Sequence, residues 1–183
     1  FCFGGWAQAA APPATPKARV SLVPFATAVV AGQPFEVGVR YELEPGWHIY
    51  WQNSGDAGSP PSITWKLPEG FTLGEVQYPA PKKHVSPGDI ITNILKGEPV
   101  LLVTIYPPKD LPAGEVPIAA KVVSFVCESQ CLQEVANVEL KLPVVASAEE
   151  VKPANEDVRS RAQRSLPKTA SKTAKAMNNF PPN

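Results

Sequence analysis

Two cysteines close together are the most chemically pointed feature of this 183-residue sequence: Cys127 and Cys131, in the run Cys127-Glu128-Ser129-Gln130-Cys131. Thiols paired this closely exchange electrons by making and breaking a disulfide, staple a chain, or ligate a metal. In an extended strand their Cα atoms would lie about 13 Å apart, whereas a disulfide requires roughly 4.4–6.8 Å. If the two bond, the segment between them must therefore turn or coil. A turn joining two strands is exposed, as an exchanging disulfide must be to admit an attacking thiolate.

The alternatives differ in what the bond would contribute. A disulfide stabilises chiefly by restricting the unfolded chain, an effect that shrinks with loop length. So short a loop gains little, and its reduction is tolerated without unfolding, which favours exchange over a structural staple. A metal carrier is a third reading: two thiolates with His48 and His84 suit zinc or copper by ligand type. The spacing is not diagnostic of one, and both histidines read as surface or loop residues. The nearest charges in sequence, Glu128 and Glu134, disfavour a thiolate, so the pair is expected to exchange only when docked to a specific partner.

The elements that must position these cysteines read as strands. The 22 prolines are more than double the usual share of roughly 5%, and proline is confined to turns, strand ends and edges. Residues 35–43 alternate apolar and polar positions, the period of a half-buried strand. Residues 19–23, 26–31, 63–67, 100–106, 116–126 and 135–145 also read as strands. Trp47, Ile49 and Trp51 share one face, opposite His48, Tyr50 and Gln52. Residues 53–61 form a turn-rich loop, 71–78 are extended, 79–88 form an irregular loop, and 90–95 are ambiguous. Seven to nine strands without a crossover helix predict an all-β sandwich of immunoglobulin-like type.

The flanks differ in character. Residues 1–10, apolar and then small-x-small at Ala7-Gln8-Ala9, read as the remnant of a signal peptide, whose removal would take Cys2 with it. Residues 11–18 read as a linker, 19–146 as the folded domain, and 147–183 as a helix and basic linker towards a downstream region. Within that tail Ser147 and Glu150 form a capping-box pattern, and 149–165 is expected to be helical, interrupted at Pro153. Residues 158–183 hold six basic residues and no acidic one, leaving 11 basic against 17 acidic elsewhere. An acidic globule argues against nucleic acid as a partner. No stretch approaches the ~20 apolar residues of a membrane span. No Ser/His/Asp set, phosphate loop or paired catalytic carboxylates stand out.

Two motifs carry a resemblance. Residues 46–58, Gly-Trp-His-Ile-Tyr-Trp-Gln-Asn-Ser-Gly-Asp-Ala-Gly, and 63–71, Ile-Thr-Trp-Lys-Leu-Pro-Glu-Gly-Phe, resemble the periplasmic N-terminal domain of DsbD/ScsB-type thiol:disulfide interchange proteins. Val126-Cys127, Cys131-Leu132 and Leu142-Pro143-Val144 extend the resemblance, which runs from about residue 19 to 145. It implies an immunoglobulin-like sandwich, exported to the periplasm, in which Cys127 and Cys131 are the exchanging pair. No cofactor is implied. Reductant would come from a membrane-embedded domain or protein and pass to exported thioredoxin-like or disulfide isomerase proteins, including those of cytochrome c biogenesis. The close cysteine spacing is more similar to the ScsB-type branch. Trp47, Trp51 and Trp65 are expected in the core, Gly55, Asp56 and Gly58 in a turn, with Asp56 a candidate neighbour of the disulfide. The alternative from another class is a non-enzymatic immunoglobulin-like interaction domain with a structural disulfide.

Overall fold

A computed structural model describes residues 15–168, so the expected signal-peptide remnant, Cys2, the first half of the 11–18 linker and the end of the basic tail lie outside the described residues. The strands, in chain order, are β1 (Ala18–Pro24), β2 (Val29–Val30), β3 (Phe35–Leu43), β4 (His48–Gly55), β5 (Ser62–Lys66) and β6 (Thr72–Leu73). They continue with β7 (Lys82–Ser86), β8 (Ile90–Lys96), β9 (Val100–Tyr106), β10 (Glu115–Cys127) and β11 (Cys131–Val145). One helix, α1 (Glu156–Ser165), follows.

Two sheets face each other. The first runs β1-β3-β9-β6; the second runs β2-β11-β10-β4-β8-β7, with β5 pairing on β10 beside β4. This is the all-β, immunoglobulin-like sandwich that the turn-punctuated strands predict. The alternation in β3 does what its period requires: Val37, Val39 and Tyr41 are fully buried. They meet Leu101, Val103 and Ile105 of β9 and, from the second sheet, Ile49, Ile118, Val122 and Val126. Each fully buried aliphatic side chain contributes roughly 1.5–3 kcal/mol. The Tyr41 hydroxyl and the Ser124 hydroxyl hydrogen-bond at 2.9 Å inside that core, tying β3 to β10 across the sandwich. Burial pushes the Tyr41 phenol well above its usual range, so it stays protonated and available to the bond.

The longest pairing is the β10–β11 hairpin, in unbroken register from Glu115 opposite Pro143 to Cys127 opposite Cys131. The Glu134 carboxylate accepts from the backbone N–H groups of Lys17 and Ala18, at 2.6 and 3.0 Å, and so fixes the start of β1 against β11. Glu134 is thus occupied with the backbone of β1.

Several local expectations are corrected. Residues 79–88 are not an irregular loop throughout: β7 pairs with β8 from Lys82 opposite Ile94 to Ser86 opposite Ile90. The ambiguous 90–95 is therefore a strand, and of 71–78 only Thr72–Leu73 is one, with an isolated bridge from Gln77 to Leu102. The helix expected over 149–165 is two pieces, a 3-10 turn at Ala148–Glu150 and α1. Pro153, which cannot sit inside a helix, instead bridges to Ala26. The capping-box residues do act at the turn, where the Ser147 N–H donates to Glu150 Oε1 at 3.1 Å. Val158 and Ala162 of α1 pack on Phe25, Val100 and Leu102, and Arg159 Nε and Nη2 both donate to Glu36 Oε2, at 2.8 and 2.6 Å. No helix among the described residues is long and apolar enough to cross a membrane.

Candidate functional site

Cys127 is the last residue of β10 and Cys131 the first of β11, and the strand register sets them face to face. They are bonded, with Cα atoms 4.1 Å apart. The three residues between them make the tight turn that the spacing requires, closed by the Glu128 N–H donating to the Gln130 carbonyl at 2.9 Å. The Glu128 carboxylate accepts from the backbone N–H and hydroxyl of Ser129. These bonds hold it below the usual carboxylate range, so it is anionic at the tip of the hairpin.

The two sulfurs are not equivalent. Cys131 is exposed, whereas Cys127 is 2% exposed. Alternation along β10 puts Val116, Ile118, Ala120, Val122, Ser124 and Val126 in the core, and Cys127 therefore on the outer face. It is buried there nonetheless, in a small cluster with Tyr50 and Ile94. Tyr50 also approaches the second cysteine: its hydroxyl lies 3.9 Å from Cys131 Sγ. A disulfide sulfur carries no hydrogen, so the phenol is the donor.

The Gly-rich turn holds Tyr50 down. Gly55 and Gly58 have φ of +87° and +85°, in the region open to glycine and strained for other residues. A Cβ on Gly58 would lie 2.2 Å from the Tyr50 ring, so the backbone of the turn rests directly on that ring. The Ser54 hydroxyl donates to the Gly58 carbonyl at 3.0 Å. Asp56 does not adjoin the disulfide; its carboxylate accepts from the Ile91 N–H at 2.8 Å, and its own N–H donates to the Ile91 carbonyl. It fastens the turn to β8 across the irregularity where the β4–β8 register shifts between Tyr50 and Gly55.

His48 is the residue that the sequence reading misplaced. It is neither on the surface nor in a loop: it begins β4, directly opposite Cys127, and is 5% exposed. The expected division of β4 into a buried and a solvated face fails at its start, because His48, Ile49 and Tyr50 are all buried. The signal was present, since residues 47–51 are aromatic or bulky without a charged residue among them, the mark of a strand covered on both faces. The His48 ring stands edge-on to Tyr50 at 5.5 Å and tilted to His84 of β7 at 5.4 Å. Burial, then the nearby His84 and Lys96, push His48 down to about 4, so it is a neutral imidazole at pH 7. Trp47, Trp51 and Trp65 pack at the edge of the core as expected. Among the described residues, no group of three or more His, Cys, Asp or Glu side chains is placed to hold a metal ion.

The arrangement is a disulfide at a hairpin tip with one sulfur open to an approaching thiolate and the other backed by a tyrosine and a neutral histidine. The family model described as thiol:disulfide interchange protein DsbD, N-terminal, matches residues 19–143. Among solved structures, the chain is similar to the N-terminal periplasmic domain of ScsB from Proteus mirabilis, at 17% identity and a TM-score of 0.57. The match covers 84% of this chain and 54% of that one, so the chain spans about half the length of the ScsB structure. It is also similar to the DsbD N-terminal domain of Neisseria meningitidis in the reduced form, at 14% identity and a TM-score of 0.35, over 73% of this chain and 90% of that one. Among curated proteins, nothing matches the chain.

Proposed function

Because this chain belongs to the family of N-terminal domains of DsbD-type thiol:disulfide interchange proteins, we propose that it relays electrons in the periplasm through the Cys127–Cys131 pair. Its reductant is a membrane-embedded partner domain or protein, and its targets are exported thioredoxin-like or disulfide isomerase proteins. Cys131 is the sulfur attacked first. A partner's thiolate reaches it at the exposed start of β11, and Cys127, buried behind Tyr50, is the leaving group and the later resolving thiol. The observation that carries this reading is the asymmetry of exposure within one hairpin-tip disulfide.

Both cysteines end a ladder that holds without them, since twelve further residue pairs join β10 to β11. Reduction therefore opens a small ring and leaves the sandwich paired. Equilibrating the protein in graded thiol buffers and counting free thiols by alkylation and mass spectrometry tests the proposal. A potential above about −270 mV with the fold retained on reduction supports a relay, whereas one below about −300 mV marks a structural staple. Alkylating the freshly reduced protein at limiting reagent, followed by peptide mapping, checks the order: Cys131 is modified before Cys127.

A further inference from the structure

Disulfide exchange moves protons as well as electrons, and the buried side of this disulfide faces a base. His48 lies opposite Cys127 in antiparallel strands. Residues so placed project from the same face of the sheet with Cβ atoms about 4.5–5.5 Å apart. The imidazole is in edge contact with Tyr50, whose hydroxyl reaches Cys131 Sγ. On the far side it meets His84, which is only half-buried. Cys127 stands across from it on β10, and Tyr50 follows on its own strand. The charged or titratable groups acting on it are His84 from β7 and Lys96 opposite it on β8, with the Glu128 carboxylate beside Gly46 in the turn before β4. A neutral histidine, buried opposite a cysteine and adjoining a second, half-buried histidine, has no role in holding the sandwich together that an apolar residue would not fill better.

We propose that His48 is the proton-holding residue of the exchange, supplying a proton to the Cys127 thiolate when the disulfide opens and taking it back when Cys127 resolves a mixed disulfide, with His84 as its path to solvent. This rests on the relay reading above. In the accepting direction, the partner's thiolate attacks Cys131 Sγ and forms an intermolecular disulfide. The Cys127–Cys131 bond breaks with its electron pair on Cys127. The new anion draws a proton from solvent, by way of His84, onto His48, which passes it to the Cys127 thiolate and is neutral again. The partner's second thiol loses its proton to solvent and attacks the partner's own sulfur in the intermolecular bond, releasing Cys131 as a thiolate that takes a proton from solvent. The partner ends as a disulfide and this domain as a dithiol, with two electrons and two protons transferred. In the donating direction the Cys131 thiolate attacks the target's disulfide. The first target sulfur leaves as a thiolate that solvent protonates. Neutral His48 then accepts the Cys127 proton as the Cys127 sulfur attacks Cys131 Sγ in the mixed disulfide. The second target sulfur leaves and is protonated likewise, and His48 returns its proton to solvent by way of His84.

The site chemistry fits this assignment. A thiolate generated in the Tyr50–Ile94 pocket is poorly solvated, and a buried charge is costly unless it is paired or neutralised. The imidazole is neutral in the disulfide form, and a new anion beside it favours its protonated state. Positioned proton transfer contributes typically 10²–10⁴-fold to a rate.

The test is the rate of reduction by dithiothreitol from pH 5 to 8, measured for the whole chain and for His48→Gln, whose amide fills the site and hydrogen-bonds without titrating. Taking the ratio of the two rates at each pH cancels the reagent's own ionisation. The variant is expected to be at least tenfold slower at pH 7, with a ratio that changes with pH; rates within twofold throughout would overturn the proposal. Should His48→Gln fail to fold, histidine NMR of the unaltered protein decides. In the dithiol form the His48 ring resonances are expected to shift as the Cys127 thiol ionises on raising the pH, and His48 resonances indifferent to that ionisation overturn the assignment. If dithiothreitol cannot reduce the unaltered protein without unfolding it, the relay reading itself fails, a different outcome from a reducible protein indifferent to His48.

Discussion

The Tyr50 hydroxyl points at the exposed sulfur of the disulfide, 3.9 Å from Cys131 Sγ, and the ring that carries it is clamped beneath Gly58. In the dithiol form the same phenol is placed to donate to the Cys131 thiolate, and hydrogen bonding to a charged form favours that form. Tyr50→Phe is therefore expected to raise the Cys131 thiol pKa and slow its alkylation by iodoacetamide several-fold at pH 7. Thiol-specific mass spectrometry over a pH series measures both. An unchanged rate would mean that the phenol serves packing alone.

The clamp gives a paired prediction. Gly58 and Gly88 share a φ of +85°, but a Cβ on Gly88 meets nothing within 4 Å, while one on Gly58 runs into the Tyr50 ring. Gly88→Ala should cost only the backbone strain, about 1 kcal/mol. Gly58→Ala should cost roughly 2–4 kcal/mol, the strain plus displacement of a buried ring, and should increase the reactivity of the disulfide toward small thiols. Thermal unfolding of both variants, with their rates of reduction, separates strain from collision.

Across the core, Tyr41→Phe removes one partner of the Tyr41–Ser124 hydrogen bond and leaves the Ser124 hydroxyl buried without it. A cost of about 1–3 kcal/mol is expected. Adding Ser124→Ala should recover part of that loss, because both partners of the pair are then apolar. Urea titration of the two single variants and the double variant gives the coupling directly.

Acid should weaken the disulfide form through His48. Its folded pKa of about 4 lies below the ordinary value of about 6.5, so as pH falls the unfolded chain takes up the proton first. The stability tied to neutral His48 is complete above about 6.5 and is lost progressively down to about 4, by roughly 2–3 kcal/mol. Comparing unfolding midpoints of the unaltered protein and His48→Gln at pH 7 and 4.5 isolates this contribution. A pH dependence unchanged in the variant would contradict it.

How much of this was legible beforehand depends on whether the information was local. The alternation in Phe35–Leu43 named its own buried face, and the cysteine spacing demanded a turn that proved to be the hairpin tip. In Lys82–Ser86 the one bulky apolar residue, Val85, lies on the exposed side. That strand exists because β8 supplies its partners, which no periodicity of its own could announce. Asp56, expected as a candidate neighbour of the disulfide, is tied to Ile91 of β8. His48 is buried by Tyr50, Cys127 and His84, brought in from its own strand and two others. Its burial is a property of the sheet order, and only the unbroken bulky run around it hinted at a strand covered on both sides.

The position of the cysteines in the β10–β11 hairpin also bears on the order of events when the chain first acquires structure. The strands on either side of the turn are neighbours in sequence, and a hairpin of this kind forms in about 1–10 μs, long before the distant segments that build the two sheets must find each other. Closing a loop this short costs little chain entropy. Oxidation of Cys127 and Cys131 accordingly has no need to wait for the sandwich, and the sandwich has no need to wait for oxidation. Its redox state and its maturation are kinetically independent, so a newly made chain can reach the folded sandwich whether it starts as a dithiol or a disulfide.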